Sequence, residues 1–328
     1  MDRKASVLIL ALWSICLLSV FAVILSYTIR QRISLVERLK ELEELSLIAE
    51  AGIKKTIFYL LKTLPEETPS NARGIWGENP AFFKNMAIGE GICNIGYEME
   101  KNFYYGLIDE ERKININTAD LRLLKNFFQV VLGFDGMLAQ DLAASIIDWR
   151  DEDNMLSVPL GSAEDAYYRW EKYSYEAKDA PFQVLDELLL VKGMNQDIFN
   201  KIKDYFTIYS DGRININTAS REVLLSLGLK QETVDKIISF RLGPDGKALT
   251  FDDGIFDDPT KISNYLDKIY FLNEAEKKQL DYVAERYLTV QANYFMIKVN
   301  ARLKNKKYTY LVTCVVDRNG HIFYWQEE

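Results

Sequence analysis

The hexamer ININTA stands twice in the chain, at Ile114–Ala119 and again at Ile214–Ala219. A specific hexamer recurring within 328 residues marks a duplicated segment, which means one supersecondary unit built twice. Its apolar–polar alternation reads as a strand leading into a helix. After each copy, Thr118 or Thr218 is placed to cap a helix and Leu124 or Leu224 points inward. A Leu–Gly turn follows (Leu132–Gly133, Leu227–Gly228), then a second helix holding IIDWR or IISFR, so each copy reads as a helix-hairpin-helix unit. Between the copies, Asp186–Glu187 with LLLVKGM continue as helix, Lys192–Gly193 turn and helix, and TIYS (Thr207–Ser210) returns to a strand.

From Thr118 to Arg286 the apolar spacing is mainly helical, and both flanks are strand-like. Ile92–Met99 and Phe103–Ile108 read as paired strands around a Lys101–Asn102 turn, after a polar connector, Thr68–Asn79. Tyr294–Arg302, Tyr308–Val316 and Ile322–Trp325 are rich in β-branched and aromatic residues, with Asn319–Gly320 as a hairpin signal. A strand-rich domain is thus expected over 30–112 and 288–328, interrupted by an α-helical insert over 113–287.

The N-terminus sets the location. After Arg3 and Lys4, no charge occurs from Ala5 to Ile29, long enough to span a bilayer, which needs about 20 apolar residues. A cleavable secretory signal has an apolar core of only about 7–15 residues, so this span is expected to stay in the protein, with its short leader inside and the bulk of the chain outside the cytoplasm. Ile33, Val36, Leu39, Leu42, Leu45, Ile48, Ile53 and Ile57 then recur as the stripe of an amphipathic helix that runs to about Leu64, with Gly52 its one weak point.

Composition closes several routes. A net charge of −8 opposes general nucleic-acid binding, which draws its affinity from lysines and arginines that displace counterions. The single histidine, His321, reads as a strand-face residue beside a turn, and a His-based triad or multi-histidine metal site is not expected. Helix-hairpin-helix units opened by an INTA-like segment occur in DNA-uptake and repair proteins, which makes a membrane-anchored DNA-binding protein the alternative reading. Its hairpins usually run Gly-hydrophobic-Gly, whereas VKGM and SLGL here hold one glycine each. Asp148, Asp151 and Asp153 lie around the end of the IIDWR helix, and Glu164 and Asp165 follow a Gly161–Ser162 turn. Five such carboxylates suit Ca²⁺, which takes 6–8 oxygen ligands, but also a solvated acidic loop, because the spacing is not the twelve-residue EF-hand pattern.

Taken in order, a basic leader, an apolar span continuing as an amphipathic helix, a terminal sheet, ININTA, DWRDEDN, GSAEDAYY, LDELLLVKGM and SDGRININTA resemble the minor pseudopilin K family of type II secretion (general secretion pathway protein K). The resemblance implies an α+β, pilin-like fold with a large inserted all-α domain, and no enzymatic activity. It implies a single-pass protein of the bacterial inner membrane, placed in the periplasm at the pseudopilus tip and supporting protein export. Its partners would be the minor pseudopilins I and J, the major pseudopilin and the inner-membrane secretion platform, with no nucleic acid. It makes residues 1–5 a leader cut by the prepilin peptidase at Ala5–Ser6, with methylation at Ser6 and residues 6–29 as the membrane part of the helix. It also makes the acidic segment, Asp148, Asp151, Asp153, Glu164 and Asp165, a calcium site. Pilin-like subunits generally carry glutamate at the fifth mature position; here that position is Leu10, as befits a tip subunit with no neighbour ahead of it. Cys93 and Cys314, both on expected strands facing an oxidising periplasm, are a candidate disulfide or else buried free thiols.

Overall fold

The computed structural model describes residues 3–64, 69–70, 74, 76–99, 102–304, 306 and 308–328. Met1 and Asp2 of the expected leader, part of the Thr68–Asn79 connector and Lys101 of the expected turn lie outside them. A single helix, α1 (Arg3–Thr63), is followed by α2 (Pro80–Phe83), β1 (Met86–Ile88), β2 (Gly91–Ile95), β3 (Tyr97–Met99), β4 (Asn102–Tyr104) and β5 (Ile108–Asp109). The chain then enters a helical region: β6 (Ile114–Asn115), α3 (Leu121–Leu132), α4 (Gly136–Arg150), α5 (Asp165–Tyr168), α6 (Gln196–Ile202), β7 (Phe206–Thr207) and β8 (Ile214–Asn215). It continues through α7 (Arg221–Ser226), α8 (Gln231–Leu242), α9 (Ile262–Tyr270), α10 (Glu274–Tyr287) and β9 (Leu288–Thr289). The long strands β10 (Tyr294–Leu303), β11 (Thr309–Asp317) and β12 (Ile322–Glu327) complete the chain.

The main sheet runs β1-β2-β10-β11-β12, with β5 beside the start of β10, and every pairing in it is antiparallel. Asp109 on β5 is the register partner of Phe295 on β10, so the helical region leaves the sheet and returns to it at one rung. The expected hairpin of Ile92–Met99 with Phe103–Ile108 is corrected: β2 pairs with β1 and β10, and only the short β3 and β4 pair with each other. Two hydrophobic cores result. One draws on Ile114 to Val290, the other on α1 and the main sheet.

α1 meets the sheet through Leu45, Ile48, Ala49, Gly52, Ile53, Thr56 and Leu60, all buried and spaced as one helix face. Ile33, Val36, Leu39 and Leu42 of the same expected stripe stay exposed, because the domain begins to cover the helix only near Leu45. Gly52 is no weak point. A Cβ built there would sit 2.5 Å from the Cys93 sulfur, so the missing side chain is what lets helix and sheet touch. Of the two readings left open for Cys93 and Cys314, the bridge is the one not found: both thiols are free and buried. Strand β10 lies between β2 and β11, so two spacings of about 4.8 Å separate the cysteines. That exceeds the limit of about 7 Å between the Cα atoms of a disulfide. Burial pushes both thiols up to about 12, leaving them protonated and inert.

Each hexamer is a strand for two residues only: β6 pairs parallel with β7 and β8 parallel with β9. Asn115 and Asn215 then accept from the backbone N–H of Asn117 and Asn217 (2.8 and 3.0 Å), which closes a turn. The second asparagine of each copy grips a distant backbone from both sides. Asn117 donates to the Phe182 carbonyl (3.0 Å) and accepts from its N–H (2.7 Å); Asn217 does the same to Phe256 (2.9 Å each way). Arg150 of IIDWR donates to the carbonyls of Ile116 and Ala119, and Arg241 of IISFR to that of Ala219 at 2.6 Å. The repeat therefore satisfies loop backbone that no ladder reaches. The helices after it are capped by Asp120 and Ser220 rather than Thr118 and Thr218. Gly133 (φ 67°) and Gly228 (φ 85°) make the left-handed turns that follow. The expected helix over LDELLL is a tight 3₁₀ turn, Leu185–Leu190.

Two substitutions test this packing. Asn217→Ala, which strips both polar groups of the buried Phe256 backbone, is expected to cost about 2–6 kcal/mol in denaturant unfolding, at about 1–3 kcal/mol for each unsatisfied group. Gly52→Ala is expected to destabilise by about 1–3 kcal/mol through overpacking, against alanine's advantage in a helix, and Cys93→Ala in the same chain to relieve most of it.

Candidate functional site

The acidic segment starts in the last turn of α4, where Ser145, Asp148 and Trp149 face inward. Asp148 is fully buried; its Oδ1 accepts from the Ser157 N–H (3.0 Å), and its Oδ2 has no hydrogen-bond partner. Asp153 accepts from the Met155 N–H (2.8 Å), folding the loop back. A second turn, Val158–Ser162, is closed by reciprocal bonds between Val158 and the Ser162 hydroxyl. It leads to Glu164, which opens α5 without using its side chain as a cap and is 5% exposed.

Lys192, in the VKGM hairpin, donates to the carbonyls of Gly161 and Ser162 (3.0 and 3.1 Å). This lysine holds the acidic loop against the domain. Below it lies an aromatic layer of Trp149, Tyr168 and Tyr175.

Asp151, Asp153 and Glu164 each offer an oxygen within 4.8 Å of the others. Two oxygens on opposite sides of one Ca²⁺ are about 5 Å apart, because each sits about 2.3–2.6 Å from the ion. Four of the acids carry buried oxygens with no partner: Asp148 Oδ2, Asp151 Oδ1, Asp179 Oδ1 and both oxygens of Glu164. Asp179 was not singled out in the sequence. It comes from a distant loop, its N–H donates to the Trp149 carbonyl (3.2 Å), and its positive φ of 49° suits an aspartate. That left-handed tolerance was the only signal, and an isolated Asp before Ala-Pro is too common to read.

Asp165 does not join the group. Its oxygens accept from the Ala177 N–H and from Arg169 (2.9 Å each), so both already have donors. Burial, then the charges of Asp148 and Asp153, raise Asp151 to about 6, with Arg150 opposing. Burial, then Asp148, Asp151, Asp179 and Asp153, push Glu164 up to about 8. Burial raises Asp179 too, with Asp165 and Glu176 adding to it.

The second copy provides an internal control. The loop after α8 also carries carboxylates, yet Asp253 accepts from the N–H groups of Leu249 and Thr250, and Asp252 from that of Asp245 and from the Thr250 hydroxyl. That loop satisfies its acids with its own donors; the first copy leaves them facing one another. An all-oxygen set in a pliable loop, with buried unsatisfied carboxylates, fits a hard divalent cation, and Ca²⁺ above Mg²⁺, which prefers to keep its waters.

Residues 107–211, which hold this site and the first hexamer, match the family described as "Type II secretion system (T2SS), protein K". Over 99 residues the chain is 31% identical to the type II secretion system protein K of Klebsiella pneumoniae, covering 30% of this chain and 28% of that protein. The aligned stretch thus spans little more than a quarter of that relative. The whole fold is similar to a chain of the GspK-GspI-GspJ complex from the enterotoxigenic Escherichia coli type 2 secretion system, with a TM-score of 0.66 at 18% identity, over 89% of this chain and 99% of the other.

Without metal, the raised carboxylates make the folded state hold protons that the unfolded state has lost. Their stabilising contribution is complete below the ordinary values, 3.8 for Asp151 and 4.5 for Glu164, and disappears as pH rises through about 6 and then about 8. In chelator, the thermal midpoint is therefore expected to fall from pH 5 to pH 8 in scans of the purified protein; Glu164→Gln flattens the upper part of that fall.

Proposed function

We propose that this chain is a member of the type II secretion system protein K family, the minor pseudopilin at the tip of a type II secretion pseudopilus, a reading supported by the match of residues 107–211. There it initiates or caps assembly and supports protein export across the outer membrane. Members of this family are structural components of the secretion machinery. The observation that carries the reading is the architecture: a pilin-like sheet on one long helix, interrupted at the Asp109–Phe295 rung by a domain with its own core. Such a bulk fits the end of a filament, where no further subunit has to pack.

α1 is long and apolar enough to cross a membrane. In this reading it is the single anchor in the bacterial inner membrane, with the rest of the chain in the periplasm. Processing by the prepilin peptidase falls at Ala5–Ser6, with methylation at Ser6, both within α1. Leu10 then occupies the fifth mature position, 69% exposed and free to lie in lipid. A carboxylate at the bilayer centre costs about 2.5–3.5 kcal/mol on insertion scales, and only a neighbour's free amine repays it. A tip subunit has no such neighbour ahead of it.

The minor pseudopilins I and J, the major pseudopilin and the secretion platform are its partners in this role. Calcium, held by Asp148, Asp151, Asp153, Glu164 and Asp179, removes the mutual repulsion of the acidic loop and fixes it in one shape; its part is structural.

Co-purification of the full chain with candidate I and J subunits, in calcium and in chelator, tests the assignment. A complex of the three subunits that weakens in chelator is expected, and no complex in either condition contradicts it. Calcium in excess is expected to raise the thermal midpoint of the purified chain, and Glu164→Gln to abolish most of that gain, because a ligand selective for the native state must stabilise it. Leu10→Glu is expected to reduce membrane insertion or incorporation into pseudopili, measured by fractionation.

A further inference from the structure

Asp109 and Glu111 are buried beside each other where the inserted domain meets the sheet, 2% and 1% exposed. Asp109 is well supplied with donors: the Glu111 N–H at 2.8 Å, Asn215 Nδ2 at 2.8 Å and the Thr218 hydroxyl at 2.5 Å. The last two belong to the second hexamer, so this carboxylate joins strand β5 of the sheet to the insert. Glu111 faces the other way along the same seam. Its Oε2 accepts from the N–H of Tyr294, the first residue of β10, at 3.1 Å, while its Oε1 is buried and meets no donor. The Glu111 N–H bond to Asp109 Oδ1 brings both carboxyl groups into one buried seam, where the charge of Asp109 acts on Glu111.

The surrounding charges are set elsewhere. On the same turn, Glu110 is matched by Lys113 at 2.6 Å, and Arg112 lies between them in sequence. From the sheet side come the phenols of Tyr97 and Tyr294, with Asp317 held by His321 at 2.9 Å, and Arg318 bonding the Ala292 carbonyl and the Ser70 hydroxyl. From the insert comes Asp211.

We propose that Asp109 and Glu111 share one proton, carried by Glu111 and bonded to Asp109, and that this proton latches the inserted domain to the sheet. With the proton in place, one chain of polar links crosses the seam: Asn215 and Thr218 to Asp109, Asp109 to Glu111, Glu111 to Tyr294. Without it, two like charges are buried in one seam, where water cannot screen them. The energetics run the same way. Burial first, then the charge of Asp109, raise Glu111 well above the ordinary 4.5, and burial raises Asp109. A raised carboxyl contributes stability that is complete below its unfolded value and is lost as pH rises through its folded value, so the seam loosens toward alkaline pH.

The test uses the full chain in detergent with the Glu164→Gln substitution, which takes the other strongly raised glutamate out of the measurement, and with carbon-13 in the glutamate carboxyls. Infrared spectra at neutral pH are expected to show the carbonyl stretch of a protonated glutamate, lost in Glu111→Gln and shifted in Asp109→Asn. The thermal midpoint of the parent is expected to fall from neutral to alkaline pH. Glu111→Gln, whose amide donates to Asp109 in the proton's place, stays level over that range. The absence of a protonated glutamate at neutral pH overturns the latch, as does a band that survives Glu111→Gln unchanged. Should Glu111→Gln fail to fold, Asp109→Asn decides alone: a shifted band supports the shared proton and an unshifted one overturns it.

Discussion

A domain inserted into a sheet must leave and re-enter through neighbouring strands, and here both passages occur at one rung, Asp109 opposite Phe295. Beyond the short parallel pairings of the two hexamers, loop backbone at Phe182 and Phe256 is buried with N–H and C=O groups that no ladder reaches. Side chains must supply the missing partners, and the asparagine has both a donor and an acceptor in one short amide. That is why the hexamer exists twice. Asn117 and Asn217 clamp Phe182 and Phe256, while Asn115 and Asn215 shape the turn and reach back to the carbonyls of Ser210 and Ser70. The isoleucines between them fill the core, and the arginine of each following helix closes the far side of the loop.

The duplication was legible because its chemistry is local: alternating residues, a short helix, a left-handed glycine, a second helix. The N-terminal helix was legible for the same reason. What escaped the sequence depends on partners distant along the chain. Gly52 looked like a helix defect until Cys93 arrived on the opposing strand. Cys93 and Cys314 looked like a pair until β10 was found between them. Thr118 and Thr218 had the right chemistry to cap, but the turn set by Asn115 and Asn215 delays the helix by two residues, to Asp120 and Ser220. In the acidic site, Asp151, Asp153 and Glu164 were readable from local density of charge, Asp165 pairs with Arg169, and Asp179 arrives through tertiary folding alone.

Comparison of the two copies also shows how similar acidic loops come to differ in the partners of their carboxylates. Both follow the arginine-bearing helix and both are acidic. The loop of the second copy is tight enough for its own N–H groups and the Thr250 hydroxyl to reach Asp252 and Asp253. The loop of the first copy is pinned open by Lys192 at Gly161 and Ser162, so its carboxylates converge without donors.

The central claim is positional: a pilin-like subunit whose sheet is interrupted by a second core belongs at a filament's end. Immunogold labelling of pseudopili assembled with a tagged copy of this chain measures that position directly. The account predicts label confined to one end of each filament. Label distributed along the shafts would contradict it, because a subunit that packs above and below itself leaves no room for the inserted domain.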